Sequence, residues 1–151
     1  MHIVVDEWLT HYLSGEEGTE KQALAFRFIQ DVVQKCDCFA TMENQGLVQK
    51  IWNLARASHS LPAAGRQITK IFFAKVVFNS EKFIRLRDDQ INEIAADVLE
   101  AAGKDTYLVK THLSLPESLI VTTDERLRQK FSANEGVKIS LAEQFMREYD
   151  P

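Results

Sequence analysis

The chain has 151 residues, of which 45% are hydrophobic and 26% are charged, with a formal net charge of -4. This length and composition predict one domain over residues 1–151, with a full hydrophobic core and no need for disulfides. No apolar run approaches the ~18 residues of a membrane span, and the first residues lack a signal-peptide pattern. We therefore expect a cytoplasmic protein that does not enter a membrane.

The first third of the chain alternates strands with helices. Residues 2–6 form a short apolar run that ends at Asp6, and a helical turn follows it. A helix with one apolar stripe begins at Thr19, residues 36–42 have the pattern of a strand, and another helix follows Gly46. Alternation of this kind indicates parallel strands joined by crossover helices.

The middle of the chain is basic. Residues 50–87 contain eight Lys and Arg residues and one acid, Glu81, a local charge of +7 that leaves -11 for the rest of the chain. These cations form either a solvated helical face or a wall that binds a substrate with a phosphate backbone. The candidate residues for binding such a backbone are Lys50, Arg56, Arg66, Lys70 and Lys75.

The helix predicted over residues 66–79 is apolar nearly all the way round. Such a helix has more apolar surface than one sheet face covers. The surplus either packs on neighbouring helices or forms a homodimer interface. Residues 82–86 then have the pattern of a short edge strand.

The last third continues the alternation. A helix is predicted from Asp88 or Asp89 to Gly103, and another begins at Asp105. Residues 118–124 form a buried strand that ends at Asp124, and a helix, a strand over 137–139 and a final helix around 141–146 follow. The whole pattern predicts a three-layer α/β/α fold with a mostly parallel central sheet of four to five strands.

Three aspartates occupy positions where ligands bind in such folds. Asp6 and Asp124 end strands, and Asp105 opens a helix. Each acid also has a purely structural explanation, as a helix cap or a turn residue. Three carboxylates in one partly dry pocket would need a counter-charge, and oxygen ligands favour Mg²⁺ or Mn²⁺. Such an ion activates a bound water for phosphodiester hydrolysis.

Four segments, in this order and spacing, resemble the PIN-domain family, whose best known members are the VapC-type ribonuclease toxins. They are Asp6 after the first strand and residues 103–113, 119–127 and 136–145. The resemblance implies a PIN-like fold, metal-dependent cleavage of RNA and, for a toxin, an antitoxin protein as partner. It assigns Asp6, Asp105 and Asp124 as catalytic, metal-binding acids and Thr122 as a hydroxyl that orients a carboxylate or a metal-bound water.

The chain departs from the family pattern after the second strand. The family has a glutamate about one turn into the next helix, where this chain has Lys50. Either Glu43 substitutes from an earlier position as a catalytic acid, or the site lacks one ligand and binds phosphate without cleaving it. Glu7 and Trp8 also stand where toxins of the family have small polar residues.

Two function hypotheses follow. The first is a PIN-type ribonuclease dependent on Mg²⁺ or Mn²⁺, as the toxin of a toxin–antitoxin pair. The second is a catalytically weak or inactive PIN-like module that binds RNA or a protein partner through residues 50–87. A phosphatase or receiver domain fits less well, because the sequence has no glycine-rich phosphate loop and no clear match to a receiver's paired acids and lysine.

Overall fold

A five-stranded parallel sheet organises the protein, which a computed structural model describes over residues 1–149. The strand order is β3-β2-β1-β4-β5, and every neighbouring pair is parallel. The strands are β1 (His2–Val5), β2 (Cys38–Met42), β3 (Phe83–Leu86), β4 (Ser118–Thr122) and β5 (Ile139–Leu141). The predicted α/β class with a parallel sheet is confirmed.

Helices cover both faces of the sheet and complete the three layers. One face carries α1 (Trp8–Ser14), α2 (Thr19–Gln34), α3 (Gly46–Ala57), α4 (Ala63–Phe72) and α8 (Ala142–Glu148). The other carries α5 (Ala96–Ala102), α6 (Thr106–Ser114) and α7 (Glu125–Lys130). Successive side chains of a strand point to opposite faces, so Ile3 and Val5 belong to the first core and Val4 to the second.

The apolar helix predicted over residues 66–79 begins earlier and changes geometry. After α4, residues Phe73–Val77 form a π-helical turn in which Phe78 N donates to Phe73 O at 3.0 Å. Most of its apolar side chains are buried, but Phe78 remains 69% exposed. The surplus apolar surface therefore packs largely within the protein, and the homodimer stays a prediction.

The helix predicted from Asp88 or Asp89 to Gly103 is wrong in its first half. Asp88–Gln90 is a short 3-10 turn, residues 91–95 are not helical, and α5 begins only at Ala96. Asn92 explains the difference, because its backbone N donates to Ser114 Oγ at 2.9 Å and its Nδ2 donates to Leu113 O at 3.1 Å. These bonds tie the segment to the end of α6 and compete with helix formation.

Gly103 ends α5 as predicted, with a φ of 57° that only glycine adopts readily. Within residues 1–149, no helix combines the length and the apolar character that crossing a bilayer requires.

Candidate functional site

The three predicted aspartates lie in one cavity at the carboxyl edge of the sheet. β1 and β4 are neighbours, with Val5 opposite Val121, so Asp6 lies beside Thr122 and Asp124 follows two residues later at the same edge. Asp105, the residue before α6, is the third aspartate that lines this cavity of about 920 Å³. The remaining lining residues are Glu7, Lys104, Tyr107, Thr123, Glu125, Arg126 and Gln129.

Thr122 links two of these acids. Its side chain is fully buried, and its Oγ1 donates to Asp6 Oδ2 at 2.7 Å. The same oxygen accepts a hydrogen bond from Asp124 N at 3.1 Å. The other oxygen of Asp6 accepts from Trp8 N at 3.0 Å. The Asp6 carboxylate is therefore held by two donors and has a fixed orientation towards the cavity.

Asp124 has a structural and a cavity-facing oxygen. Its Oδ1 caps α7 by accepting from Arg126 N at 2.9 Å and Leu127 N at 3.1 Å. Its Oδ2 lies 3.8 Å from Lys104 Nζ. The capping role considered for this residue is therefore present, and it leaves the second oxygen free of backbone bonds and facing a cation.

The cavity disfavours negative charge on the acids that it crowds together. Burial raises the pKa of Asp6, the hydrogen bonds from Thr122 and Trp8 oppose this shift, and the charge of Asp105 adds to it. Burial also raises the pKa of Asp105; Lys104 and Lys130 oppose this, and Asp124 adds to it. Competing carboxylates of this kind are stabilised by a bound cation.

Tyr107 is a lining residue that the sequence did not single out. Burial raises its pKa, and the charges of Asp6, Asp105 and Glu7 raise it further. The phenol therefore keeps its proton and can donate a hydrogen bond inside the cavity. Its only sequence signal was its place two residues after Asp105 on the first turn of α6.

Glu7 was noted only as a departure from the family pattern, and it also lines the cavity. Its Oε1 occupies the space that a Cβ atom on Gly46 would need, so the glycine admits the carboxylate beside the first turn of α3. Lys50 Nζ lies 3.9 Å from Glu7 Oε2. Lys50 is thus paired with an acid of the cavity rim.

The bulky Trp8 has a structural role at this edge. Its indole Nε1 donates to Val121 O at 2.8 Å, and its ring is buried. The residue thereby connects the start of α1, next to Asp6, with the end of β4.

Glu43 is not brought to the cavity. It lies in a separate depression at the end of β2 with Gln45, Val48 and Trp52 among its neighbours. Its backbone N donates to Leu86 O at 2.9 Å, which continues the pairing of β2 with β3. Glu43 therefore does not line the cavity, where it would have to lie to take the place of the family's glutamate.

The predicted RNA-binding residues form no part of the cavity lining. Lys50 lies at its edge through Glu7, whereas Arg56, Arg66, Lys70 and Lys75 are exposed along α3, α4 and the π-helical turn. Arg56 bonds to Asn53 Oδ1 at 3.4 Å and Arg66 to Leu61 O at 3.0 Å. The basic segment is therefore a separate surface.

The donor atoms of the cavity suit a hard cation, because they are carboxylate oxygens without sulfur or imidazole. In residues 1–149, no three His, Cys, Asp or Glu side chains converge closely enough to hold a metal ion as they are placed. Asp105 has no side-chain hydrogen bond to another described residue, and Asp124 Oδ2 has only Lys104 beside it. Asp105 can therefore turn without losing a side-chain hydrogen bond to a described residue, whereas Asp124 keeps Oδ1 on the α7 cap and offers Oδ2.

Comparison with protein-family models, with curated proteins and with solved structures finds no match for this chain. The assignment of function therefore depends on the cavity and its residues.

Proposed function

We propose that the protein is a metal-dependent ribonuclease of PIN type, which binds Mg²⁺ or Mn²⁺ through Asp6, Asp105 and Asp124. The observation that carries the proposal is the meeting of these three aspartates, far apart in sequence, in one cavity. The raised pKa values of Asp6 and Asp105 add support, because crowded and partly dry carboxylates bind a divalent cation in exchange for protons.

The residues around the cavity have distinct roles in such a reaction. A bound divalent cation would supply an activated water and stabilise the departing oxyanion. Thr122 keeps the Asp6 carboxylate oriented through its hydrogen bond of 2.7 Å. Asp124 presents Oδ2 while the α7 cap fixes Oδ1. Tyr107, which keeps its proton, donates a hydrogen bond to a phosphate oxygen.

The resemblance to VapC-type toxins extends this proposal to the biological setting. The protein would be the toxin of a toxin–antitoxin pair, act on cytoplasmic RNA and be held inactive by its antitoxin. A homodimer through the π-helical turn and Phe78, the most exposed large apolar side chain among the described residues, belongs to the same proposal.

The direct test is RNA cleavage by the purified protein in Mn²⁺ and in Mg²⁺, with Asp124→Asn as the variant. Asparagine is as good a helix cap as aspartate, so the variant keeps α7 in place and loses only the charge. We expect cleavage by the wild type and none by the variant at equal folded fractions. Intact RNA with a folded wild type in both metals would refute the proposal.

The second candidate, a binding module that uses residues 50–87, is favoured by aromatic residues among the cations. The Trp52 and Phe78 rings are 6.3 Å apart, and both side chains are exposed. Arg56 follows Trp52 by one helical turn, and Lys75 lies close to Phe78 in sequence. Exposed aromatic rings beside cations can stack on bases while the cations bind phosphates.

This candidate predicts salt-sensitive RNA binding without cleavage. The double variant Lys70→Glu plus Lys75→Glu should then reduce binding strongly, because two attractive charges become repulsive. Unchanged binding by that variant would exclude the basic segment as the binding surface.

A further inference from the structure

The acidic cavity has a group of cations on one side only. Lys104 and Arg126 line it, and Lys130 follows Arg126 by one turn on the same face of α7. We call Lys104, Arg126 and Lys130 the cationic rim. Lys104 lines the cavity, and the charges of Lys104 and Lys130 both oppose the rise in the pKa of Asp105 that burial causes.

The charges of the cationic rim are available to a ligand. Lys104 is 84% exposed, and its contact with Asp124 Oδ2, at 3.8 Å, is long for an ion pair. Within residues 1–149, Arg126 and Lys130 form no ion pair with a carboxylate. Exposed cations held this loosely exchange a carboxylate for a phosphate readily.

The cations on the other sides are fewer and less exposed. Lys50 lies 3.9 Å from Glu7 Oε2, a contact as long as that of Lys104, but its side chain is 43% exposed against 84% for Lys104. Two smaller depressions continue from the cavity past Thr123 towards Lys21, which lies 3.2 Å from Glu143 and 3.8 Å from Glu17. A phosphate chain on those sides would therefore meet a single half-exposed lysine, Lys50, or a lysine that two carboxylates already hold, Lys21.

We propose that a single-stranded RNA leaves the cavity across the cationic rim, where Lys104, Arg126 and Lys130 bind the phosphates next to the cleaved bond. The strand then avoids both the Lys21 side and the basic segment of residues 50–87. This inference rests on the proposed ribonuclease function and names the surface that binds its substrate. Because the three residues act on phosphates away from the reacting one, they are positioning residues.

The experiment measures binding of a short fluorescein-labelled single-stranded RNA by fluorescence anisotropy in Ca²⁺, over a series of salt concentrations. Only samples in which gels show intact RNA are scored. Each cation that contacts a phosphate contributes about 0.7 to the slope of log affinity against log salt for a single strand. Lys104→Ala plus Arg126→Ala should therefore reduce that slope by about 1.4 and weaken binding roughly tenfold at low salt.

Two comparisons make the result decisive. Arg27→Ala, which removes an exposed cation of α2 that lines no part of the cavity, should leave the slope unchanged. Lys70→Ala plus Lys75→Ala tests the competing surface, and a slope that falls there and not at the rim would overturn the inference.

Kinetics in Mn²⁺ separate this inference from the proposed function. The rim variants should raise KM far more than they lower kcat, since they hold the strand and do not touch the reacting phosphate. A wild type that cleaves RNA, with rim variants of unchanged KM and salt slope, would overturn the inference alone. A folded wild type that neither binds nor cleaves RNA would overturn both.

Discussion

The ends of β4 and β2 have similar local sequences, but their side chains have different hydrogen-bond partners and surroundings. β4 ends at the fully buried Thr122, and β2 has the fully buried Thr41 one residue before its end. An acid follows each threonine two residues later, Asp124 after Thr122 and Glu43 after Thr41. Thr122 Oγ1 bonds to both Asp6 and Asp124 N. Among the described residues, Thr41 Oγ1 has no hydrogen-bond partner, and Glu43 lies outside the cavity.

The register of the sheet explains the difference. Val4 of β1 is opposite Ala40 on one side and Ile120 on the other. Thr122 is two residues after Ile120 and faces the same side of the sheet, whereas Thr41 is one residue after Ala40 and faces the opposite side. One residue of register therefore decides whether a hydroxyl reaches Asp6 or is buried in the other core.

Asp124 therefore lines the cavity beside Asp6, whereas Glu43, which follows a threonine facing the other side of the sheet, does not. The cavity lies at the junction of β1 and β4, and the helix after β2 contributes Gly46, which leaves space for Glu7, and Lys50, which lies beside Glu7. Four predictions test whether the site depends on the junction of β1 and β4 and not on the end of β2.

The largest effect is expected on catalysis. Asp6→Asn should lower the rate of Mn²⁺-dependent RNA cleavage by at least about 100-fold. This decrease should be larger than the one caused by removing a residue that only orients a metal ligand. Glu43→Gln should change the same rate by less than about twofold, because a surface substitution outside the cavity has little effect. Equal losses in the two variants would show that both strand ends serve the site.

The next effect concerns the metal. Thr122→Val removes the hydroxyl that orients Asp6, so the Mn²⁺ affinity measured by calorimetry should fall about 10- to 100-fold. Thr122→Ser keeps the hydroxyl and should retain most of the affinity. A serine variant as weak as the valine variant would indicate a packing defect instead of a lost hydrogen bond.

The third prediction concerns pH. Burial raises the pKa of folded Asp6 above its ordinary value of 3.8, so the folded state holds this proton more tightly than the unfolded state. Its stabilising contribution is complete below 3.8 and is lost as pH rises through the raised pKa. Without divalent metal, the free energy of unfolding of the wild type should therefore fall with rising pH relative to that of Asp6→Asn. Urea unfolding at several pH values measures this difference, and a constant difference would contradict the predicted shift.

The smallest effect is expected at Thr41. Thr41→Val replaces a buried hydroxyl without a described partner by a methyl group of similar shape, and should raise the free energy of unfolding by about 1 kcal/mol. Urea unfolding measures this change. Destabilisation by the same substitution would mean that the hydroxyl has a partner, such as a bound water.

Sequence alone predicted the features of the fold that depend on local pattern. The apolar runs of β1 and β4, each followed by an aspartate, indicated the parallel sheet and the edge where Asp6 and Asp124 meet. The failure before α5 had a tertiary cause, since Asn92 bonds to Leu113 and Ser114, which lie far along the chain. No periodicity reports such contacts.

The missed parts of the site have the same origin. Glu7 becomes a lining residue because Gly46 leaves room for it and Lys50 pairs with it, and both lie on another helix. Thr41 and Thr122 look alike in sequence because both strands are buried on both faces, so no alternation of polar and apolar residues reveals their orientation. Register, which distinguishes them, is a property of the assembled sheet.

The central claim is that Asp6, Asp105 and Asp124 hold one divalent cation between β1 and β4. A crystal structure grown with Mn²⁺ and measured with anomalous scattering tests it directly. The expected result is an anomalous peak in the cavity with oxygens of these three side chains at about 2.0–2.6 Å. A cavity without such a peak in saturating Mn²⁺, or a peak at Glu43 instead, would contradict it.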